Sequence, residues 1–163
     1  MRNRALVFLI PIGLFLAAVF YLLIPRTAEE SFEEFLSLET KESYLTQPLC
    51  AAGRKVVPVV IERIKDKNLD RRRYAIGFLG SDDYPEALPV LFRILEDDTE
   101  TDVFRGDALN AIFLLSRNEG SDLALKYRGR ADYLGRVANE LIKVQDYDDF
   151  KDSRQSERCN PGD

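Results

Sequence analysis

The chain contains side chains capable of nucleophilic and acid–base chemistry, but they lack the partners that such chemistry needs. It has no histidine, which is the commonest general base and zinc ligand. Ser43, Ser116 and Ser121 therefore have no imidazole to activate a hydroxyl nucleophile. With 28 Asp and Glu residues, a close pair of carboxylates is expected by chance alone. We predict a protein that is not an enzyme and has no catalytic residue.

One acidic segment has the alternating side chains of a calcium-binding loop. Glu96–Asp102 reads EDDTETD, and every second residue from Asp98 onward is acidic. A loop of this type needs a glycine and then a bidentate glutamate, but Val103 and Leu109 stand at those positions. We therefore expect a solvated turn with a helix cap, no metal ion and no cofactor.

Arg71, Arg72 and Arg73 form a basic run at the start of a predicted helix. A phosphate can bind at such a place, but many acidic residues surround the run. We expect Asp70 to cap the helix, one arginine to face the next helical unit, and two arginines to face solvent.

Cys50 and Cys159 are the two cysteines of the chain. In an oxidising compartment they could form a disulfide, and a loop of about 100 residues contributes up to about 4.7 kcal/mol in the chain-entropy model. The alternative is two unrelated thiols, one in a helix and one in the polar tail. Sequence spacing does not decide between these two readings.

The distribution of charge excludes two classes of partner. All 28 acidic residues follow Ala28, and 20 of the 23 basic residues do. The chain from Glu29 onward therefore carries 20 minus 28, a net charge of −8. A domain this acidic lacks the basic face that nucleic acids need, and anionic lipid surfaces repel it.

An uncharged apolar stretch opens the chain. Ala5–Ile24 reads ALVFLIPIGLFLAAVFYLLI, and a helix of about 20 apolar residues spans a bilayer. We predict an uncleaved signal anchor over residues 1–25. The alternative is a cleaved signal peptide and a secreted protein, although the stretch exceeds the usual 7–15 apolar residues of a signal, and Arg26 occupies the third position before the best cleavage site, after Ala28.

The basic flanks of this stretch predict its orientation. Arg2, Arg4 and the terminal amine precede it, whereas Arg26 alone follows closely. Because the positive side stays in the cytoplasm, we expect a single-pass protein of the inner membrane. Its C-terminal domain would lie in the periplasm or an equivalent compartment.

The rest of the chain contains an internal repeat of helical hairpins. Arg71–Asp98 combines a short apolar helix, a polar turn and a second amphipathic helix. Val57–Ile61 (VPVVI) matches Leu88–Phe92 (LPVLF) at an offset of 31 residues, including the proline, and Arg72 matches Arg105 at an offset of 33. A period of 20–50 residues is typical of a solenoid. Pro89 either lies in the first turn of its helix or bends the helix so that the stack curves.

The apolar pattern also predicts the domain boundaries. Residues 26–48 form a linker and a capping helix (28–39), residues 49–150 form the repeat domain, and residues 151–163 form a polar tail. This tail is expected to be disordered unless Cys159 anchors it. Further helices are predicted over 103–117, 122–127 and 131–145, with a turn over 118–121.

The hairpin resembles a HEAT repeat at three places. These are Arg72-x-x-Ala75, Phe78-Leu79-Gly80 and Pro85-Glu86-Ala87-Leu88-Pro89-Val90-Leu91, and they look most like the short bacterial type also found in phycobilisome lyases. The resemblance implies an all-α fold, a short right-handed α-solenoid, here preceded by one transmembrane helix. It also implies that Arg72 and Arg105 bond neighbouring repeats and that the second helices bind another protein. Pigment lyase activity is not carried over.

These observations predict a membrane-tethered adaptor or assembly factor that binds an unidentified protein, one with a basic surface. Two alternatives are an envelope hydrolase with paired carboxylates and an immunity-like inhibitor. The candidate interaction face is the polar side of the second helices: Glu62, Arg63, Arg93, Glu96, Lys126 and Arg128.

Overall fold

The computed structural model describes residues 26–81 and 83–159, with the side chains of 155–158 excepted. Within these ranges the chain is helical and contains no strand, which confirms the all-α class. The predicted anchor, Ala5–Ile24, lies outside the described residues, as do residues 160–163. None of the described helices is long and apolar enough to cross a membrane.

Short connections join the helices, several of them 3₁₀ turns at Glu42–Tyr44, Gly53–Val56 and Pro85–Ala87. We number the α-helices in chain order. They are α1 (Ala28–Ser37), α2 (Gln47–Ala52), α3 (Val57–Arg63), α4 (Arg72–Leu79), α5 (Leu88–Glu96), α6 (Asp102–Leu115), α7 (Arg117–Tyr127), α8 (Tyr133–Ile142) and α9 (Tyr147–Cys159).

Helix α1 begins at a capping box. The Thr27 hydroxyl accepts a hydrogen bond from the backbone N–H of Glu30 at 3.2 Å, and the Glu30 carboxylate accepts one from the Thr27 N–H at 2.8 Å. Both bonds satisfy N–H groups that have no partner within the helix. The helix buries Phe32 and Phe35, whose ring centroids lie 5.7 Å apart, and packs against α2 and α3.

Thr27→Ala is expected to lower the free energy of unfolding by about 1 kcal/mol, because it removes the side-chain half of this box. Urea unfolding followed by circular dichroism measures the loss. Thr40→Ala is the matched control, since Thr40 is exposed in a bend between helices. Equal effects of the two substitutions would contradict the capping role.

Helix α6 is the centre of the domain. It packs against α4, α5, α7 and α8, and its residues Leu109, Ile112 and Phe113 are almost completely buried. One hydrophobic core runs from Phe32 in α1 to Leu141 in α8. The helices therefore share a single core, built along a row of neighbouring helices.

Both prolines of the repeat lie in the first turn of their helices. Pro58 is the second residue of α3 and Pro89 the second residue of α5, and each helix follows a 3₁₀ turn. The first turn has no intrahelical partner for its N–H groups, so proline costs no hydrogen bond there. Neither proline is therefore an interior kink.

The predicted turn over 118–121 is wrong. Helix α7 begins at Arg117, and only Ser116, with extended backbone, separates it from α6. Gly120 lies inside α7, where a Cβ atom would stand 2.3 Å from the Cα of Phe113. The glycine thus permits close approach of α6 and α7 and does not end a helix.

Residues 151–159 are helical, whereas the sequence predicted a disordered tail over 151–163. They complete α9, and Cys159 at its end is joined by a disulfide to Cys50 in α2, with the two Cα atoms 5.4 Å apart. The bridge is the physical reason for the difference, because it anchors a polar helix that has little apolar surface of its own.

Candidate functional site

The three consecutive arginines at the start of α4 bond in three different directions. Arg71 adopts a left-handed backbone conformation, with φ at +58°, and is the N-cap residue of α4. Its guanidinium donates to the carbonyls of Phe35 and, at 2.9 Å, Leu38, where α1 ends. The prediction that Asp70 caps α4 is therefore wrong. Of the two arginines predicted to face solvent, Arg73 is exposed and Arg71 is half-buried.

Arg72 forms a buried ion pair with Glu100, which lies in the segment between α5 and α6. Its Nε donates to the carbonyl oxygen of Ile64 at 2.7 Å, and its two terminal nitrogens donate to the Glu100 carboxylate at 2.9 and 2.7 Å. The two side chains are 2% and 4% exposed. The guanidinium also lies 4.9 Å from the Phe104 ring centroid, so Arg72 joins the end of α3 to the start of α6.

Arg105 resembles Arg72 in its bond to the backbone. Its Nε donates to the carbonyl oxygen of Leu95 at 2.9 Å, near the end of α5. It pairs with Asp98 at 3.2 Å and lies 6.0 Å from the Tyr127 ring centroid. The ion pairs differ, because the Asp98 side chain is 90% exposed whereas that of Glu100 is buried.

The acidic segment Glu96–Asp102 is bonded to cations of the protein and is not a simple solvated turn. Glu100 and Asp98 of this segment pair with Arg72 and Arg105, as described above. In addition, the Asp97 carboxylate accepts a hydrogen bond from the Lys67 ammonium group at 2.6 Å, and Asp102 pairs with Arg130 at 3.2 Å. The hydrogen bond from Lys67 holds the pKa of the Asp97 carboxyl well below its usual range. Among the described residues no cluster of His, Cys, Asp and Glu could hold a metal ion.

Arg73 is the centre of a polar network that connects three helices. Its Nε donates to the Asp107 carboxylate in α6 at 2.9 Å, and its Nη2 donates to the Tyr133 hydroxyl in α8 at 3.0 Å. The Tyr133 hydroxyl in turn donates to Asp107 at 3.1 Å. These hydrogen bonds therefore connect α4, α6 and α8.

Two cavities flank this network. Together they form an open groove along α4, α6 and α8, which we call the polar trough. The larger, of about 320 Å³, lies toward the turn Glu42–Tyr44. The smaller, of about 130 Å³, lies toward α9. Arg73 and Asp107 line both. The remaining lining residues are Glu42, Ser43, Thr46, Tyr74 and Gly77 in the first and Asn110, Tyr133, Val137, Glu140, Leu141, Phe150 and Arg154 in the second.

The trough keeps its tyrosines in the neutral form. Tyr74 donates a hydrogen bond of 2.6 Å to Glu42. This bond, and to a smaller extent burial, raises the pKa of the Tyr74 hydroxyl. Burial, followed by the negative charge of Asp107, raises the pKa of Tyr133. The Asp107 carboxylate also raises the pKa of the Arg73 guanidinium, against the effect of burial. The trough therefore presents neutral phenols, fixed ions and no activated nucleophile.

We expect the protein to lose stability as the pH rises past about 10, the ordinary tyrosine pKa. The pKa of such a phenol is higher in the folded protein than in the unfolded chain. Its contribution to stability is complete at pH values below the pKa of the unfolded chain, and it is lost as the pH rises through the pKa of the folded protein. Tyr133→Phe should cost about 1 kcal/mol at neutral pH by removing hydrogen bonds, and should reduce the alkaline loss.

Urea unfolding on both sides of this pH measures the effect. Tyr44→Phe is the control, because Tyr44 is 36% exposed. An alkaline loss of equal size in wild type and Tyr133→Phe would contradict the role of Tyr133.

The six residues of the predicted interaction face are all exposed. No hydrogen bond or ion pair joins any two of them in the described part of the chain. Arg63 is engaged by α1, since it pairs with Glu33 at 3.0 Å and lies over the Phe32 ring. The best-defined concave surface lies instead on α4, α6 and α8.

Sequence reasoning missed Arg73, Asp107 and Tyr133. Arg73 follows Arg72, and Asp107 comes two residues after Arg105. Arg73 and Asp107 are 34 residues apart, one more than the offset of 33 that relates Arg72 to Arg105, so the repeat pattern does not by itself predict their contact.

Comparisons of the chain with protein-family models, with curated proteins and with solved structures found no match.

Proposed function

We propose that this protein is a protein–protein interaction module that binds a partner segment in the polar trough. The module is a short right-handed α-solenoid of HEAT-like hairpins, held by a membrane anchor outside the cytoplasm. The observation that carries the proposal is the trough itself, an open groove across three neighbouring helices whose polar side chains are fixed by the network around Arg73.

The equivalent bonds of two arginines support the repeat architecture. Arg72 and Arg105 each donate Nε to a carbonyl at the end of a preceding helix, that of Ile64 and that of Leu95 respectively. An internal repeat predicts such matching contacts. Among the described elements, α6 and α7 pack against each other and form the hairpin that best fits the unit.

The lining of the trough supports binding over hydrolysis. Its carboxylates Glu42 and Asp107 already accept hydrogen bonds from tyrosines, and Asp107 is also paired with Arg73. Ser43 is exposed and Asn110 is half-buried, so both can form hydrogen bonds with the backbone of an extended segment. Fixed polar groups of this kind lower the ordering cost of binding.

The charge of the domain supports a basic partner segment. Three carboxylates and two guanidinium groups line the trough, namely Glu42, Asp107, Glu140, Arg73 and Arg154, and the chain from Glu29 onward carries a net charge of −8. Complementary charge accelerates association and selects among partners. A segment with lysine or arginine residues therefore fits better than an acidic one.

The disulfide supports the proposed compartment. Cys50 and Cys159 are paired, and such pairs persist in oxidising compartments such as the periplasm. A topology reporter fused after Asp163 tests the anchor. Reporter activity in the cytoplasm would contradict this orientation, and recovery of the protein in the soluble fraction would favour the cleaved signal peptide.

Site-specific photo-crosslinking of the full chain in its native membrane tests the binding surface. A photoreactive residue at Ser43 or Asn110 should capture a protein partner, while the same residue at Arg93 or Lys126 should not. Capture only from Arg93 or Lys126 would assign binding to the second helices. The absence of any crosslinked partner at all four positions would contradict the proposal.

A further inference from the structure

Glu42 and Tyr74 form a hydrogen-bonded pair of side chains on the wall of the larger cavity. The Tyr74 hydroxyl donates at 2.6 Å to one oxygen of the Glu42 carboxylate, Oε1, and both residues line the cavity of about 320 Å³. Within the part of the chain that the structure describes, no arginine or lysine forms an ion pair with Glu42, and no group donates to its second oxygen, Oε2. The carboxylate is therefore fixed in place and keeps an oxygen for a further donor.

The network around Arg73 contains the same kind of pair together with a guanidinium. The Tyr133 hydroxyl donates to Oδ1 of Asp107 at 3.1 Å, much as Tyr74 donates to Glu42. The Nε of Arg73 donates to the other oxygen, Oδ2, at 2.9 Å, and its Cζ atom lies 5.8 Å from the Tyr133 ring centroid. In this protein, a carboxylate held by a tyrosine thus already binds an arginine that lies against the tyrosine ring.

The charges that line the two cavities differ. Arg73 and Asp107 line both cavities and balance each other. Glu42 adds one negative charge to the larger cavity, whereas Glu140 and Arg154 add one charge of each sign to the smaller cavity. The lining of the larger cavity therefore has one negative charge in excess, and that of the smaller cavity has none. A cation of the partner is stabilised more at Glu42 than at Glu140.

We propose that the larger cavity is a subsite for one arginine side chain of the partner segment, and that Glu42 binds its guanidinium. Arginine fits better than lysine, because its planar group donates to a carboxylate in a fixed geometry and also stacks on an aromatic ring. Tyr74 is a positioning residue, since its hydroxyl orients the carboxylate and its ring lies beside it. This inference rests on the proposed function, because it names one side chain of the segment that binds in the trough.

The location of Glu42 gives a partner access to this subsite. Glu42 is the first residue of the 3₁₀ turn between α1 and α2 and is exposed, while Tyr74 is half-buried on α4. An acceptor that is fixed before binding lowers the ordering cost of the complex. Because the Glu42 side chain is exposed, its replacement by glutamine is expected to leave the fold intact.

Peptide selection on the full chain in lipid nanodiscs tests the subsite. A random peptide library displayed on phage is depleted on empty nanodiscs and then selected on the protein. We expect the selected peptides to share an arginine. A labelled synthetic copy of the tightest binder should lose about tenfold in affinity when citrulline, which keeps the length of arginine without its charge, replaces that residue. Lysine at the same place should give an intermediate affinity.

Variants of the protein assign this effect to one carboxylate. Glu42→Gln should bind the arginine and citrulline peptides equally, because its amide carries no charge. Tyr74→Phe should reduce the preference for arginine without abolishing it, since the carboxylate stays but is held less firmly. Glu140→Gln is the matched control, and it should keep the full preference of the wild type. Circular dichroism of each variant separates a loss of binding from a loss of folding.

Several results would overturn the inference. They are selected peptides without arginine, equal binding of the arginine and lysine peptides, an undiminished preference in Glu42→Gln, and an equal loss of preference in Glu140→Gln. These results are separate from a failure of the proposed function. If photo-crosslinking captures a partner from Ser43 but the selected peptides do not depend on Glu42, the trough remains a binding surface and this subsite alone is excluded.

Discussion

Replacement of Arg72 by methionine is expected to lower the free energy of unfolding by about 3–5 kcal/mol, since it leaves the buried carboxylate of Glu100 without its main partner. It also removes the bond to the Ile64 carbonyl, which has the geometry of a strong charge-assisted contact at 2.7 Å. Lys67, 4.0 Å from Glu100, offers only a weaker substitute. Urea unfolding followed by circular dichroism measures the loss.

A double-mutant cycle separates the ion pair from its surroundings. Arg72→Met/Glu100→Met should be less destabilised than the sum of the two single variants, because it leaves no unpaired charge behind. Arg93→Ala is the control, since Arg93 is exposed, and its effect should stay within about 0.5 kcal/mol. Additive single effects would show that the pair does not act as a unit.

Gly120→Ala is expected to destabilise the domain by about 1–3 kcal/mol through overpacking. The added Cβ would lie 2.3 Å from the Cα and 2.8 Å from the backbone nitrogen of Phe113. Main-chain atoms cannot rotate away as a flexible side chain can, so α6 and α7 must separate. The sign is opposite to the gain of about 1 kcal/mol that alanine gives over glycine in an unobstructed helix.

Gly129→Ala provides the matched control. No atom lies within 4 Å of a Cβ at Gly129, and its φ is not in the left-handed region. This substitution should therefore cause no loss and a gain of up to about 1 kcal/mol. Thermal unfolding of the two variants side by side gives the comparison. A stable Gly120→Ala protein would mean that α6 and α7 are packed less closely.

The helical hairpin was predictable because its signals are local. The apolar spacing of α4 and α5 and the prolines at the starts of α3 and α5 depend on neighbouring residues alone. The break between α6 and α7 was not predictable in this way. Gly120 reads as a turn residue in the sequence, and its role depends on the approach of Phe113 from another helix.

The polar trough depends on contacts between residues far apart in the chain. Arg73 and Tyr133 are separated by 60 residues, and no local pattern shows that their side chains meet. The tail is a similar case. Its polar composition favours disorder, and only the bond between Cys50 and Cys159 gives it a place in the fold.

The disulfide also determines how the domain transmits mechanical tension. It joins residues that are 109 positions apart, so a pull between residue 26 and Cys159 passes through α1, the start of α2 and one covalent bond. The helices from α3 to α8 lie outside this covalent route, but hydrogen bonds from Arg63 and Arg71 hold α1 against them. Tension between these two points is therefore borne by α1, by its bonds to Arg63 and Arg71, and by the disulfide.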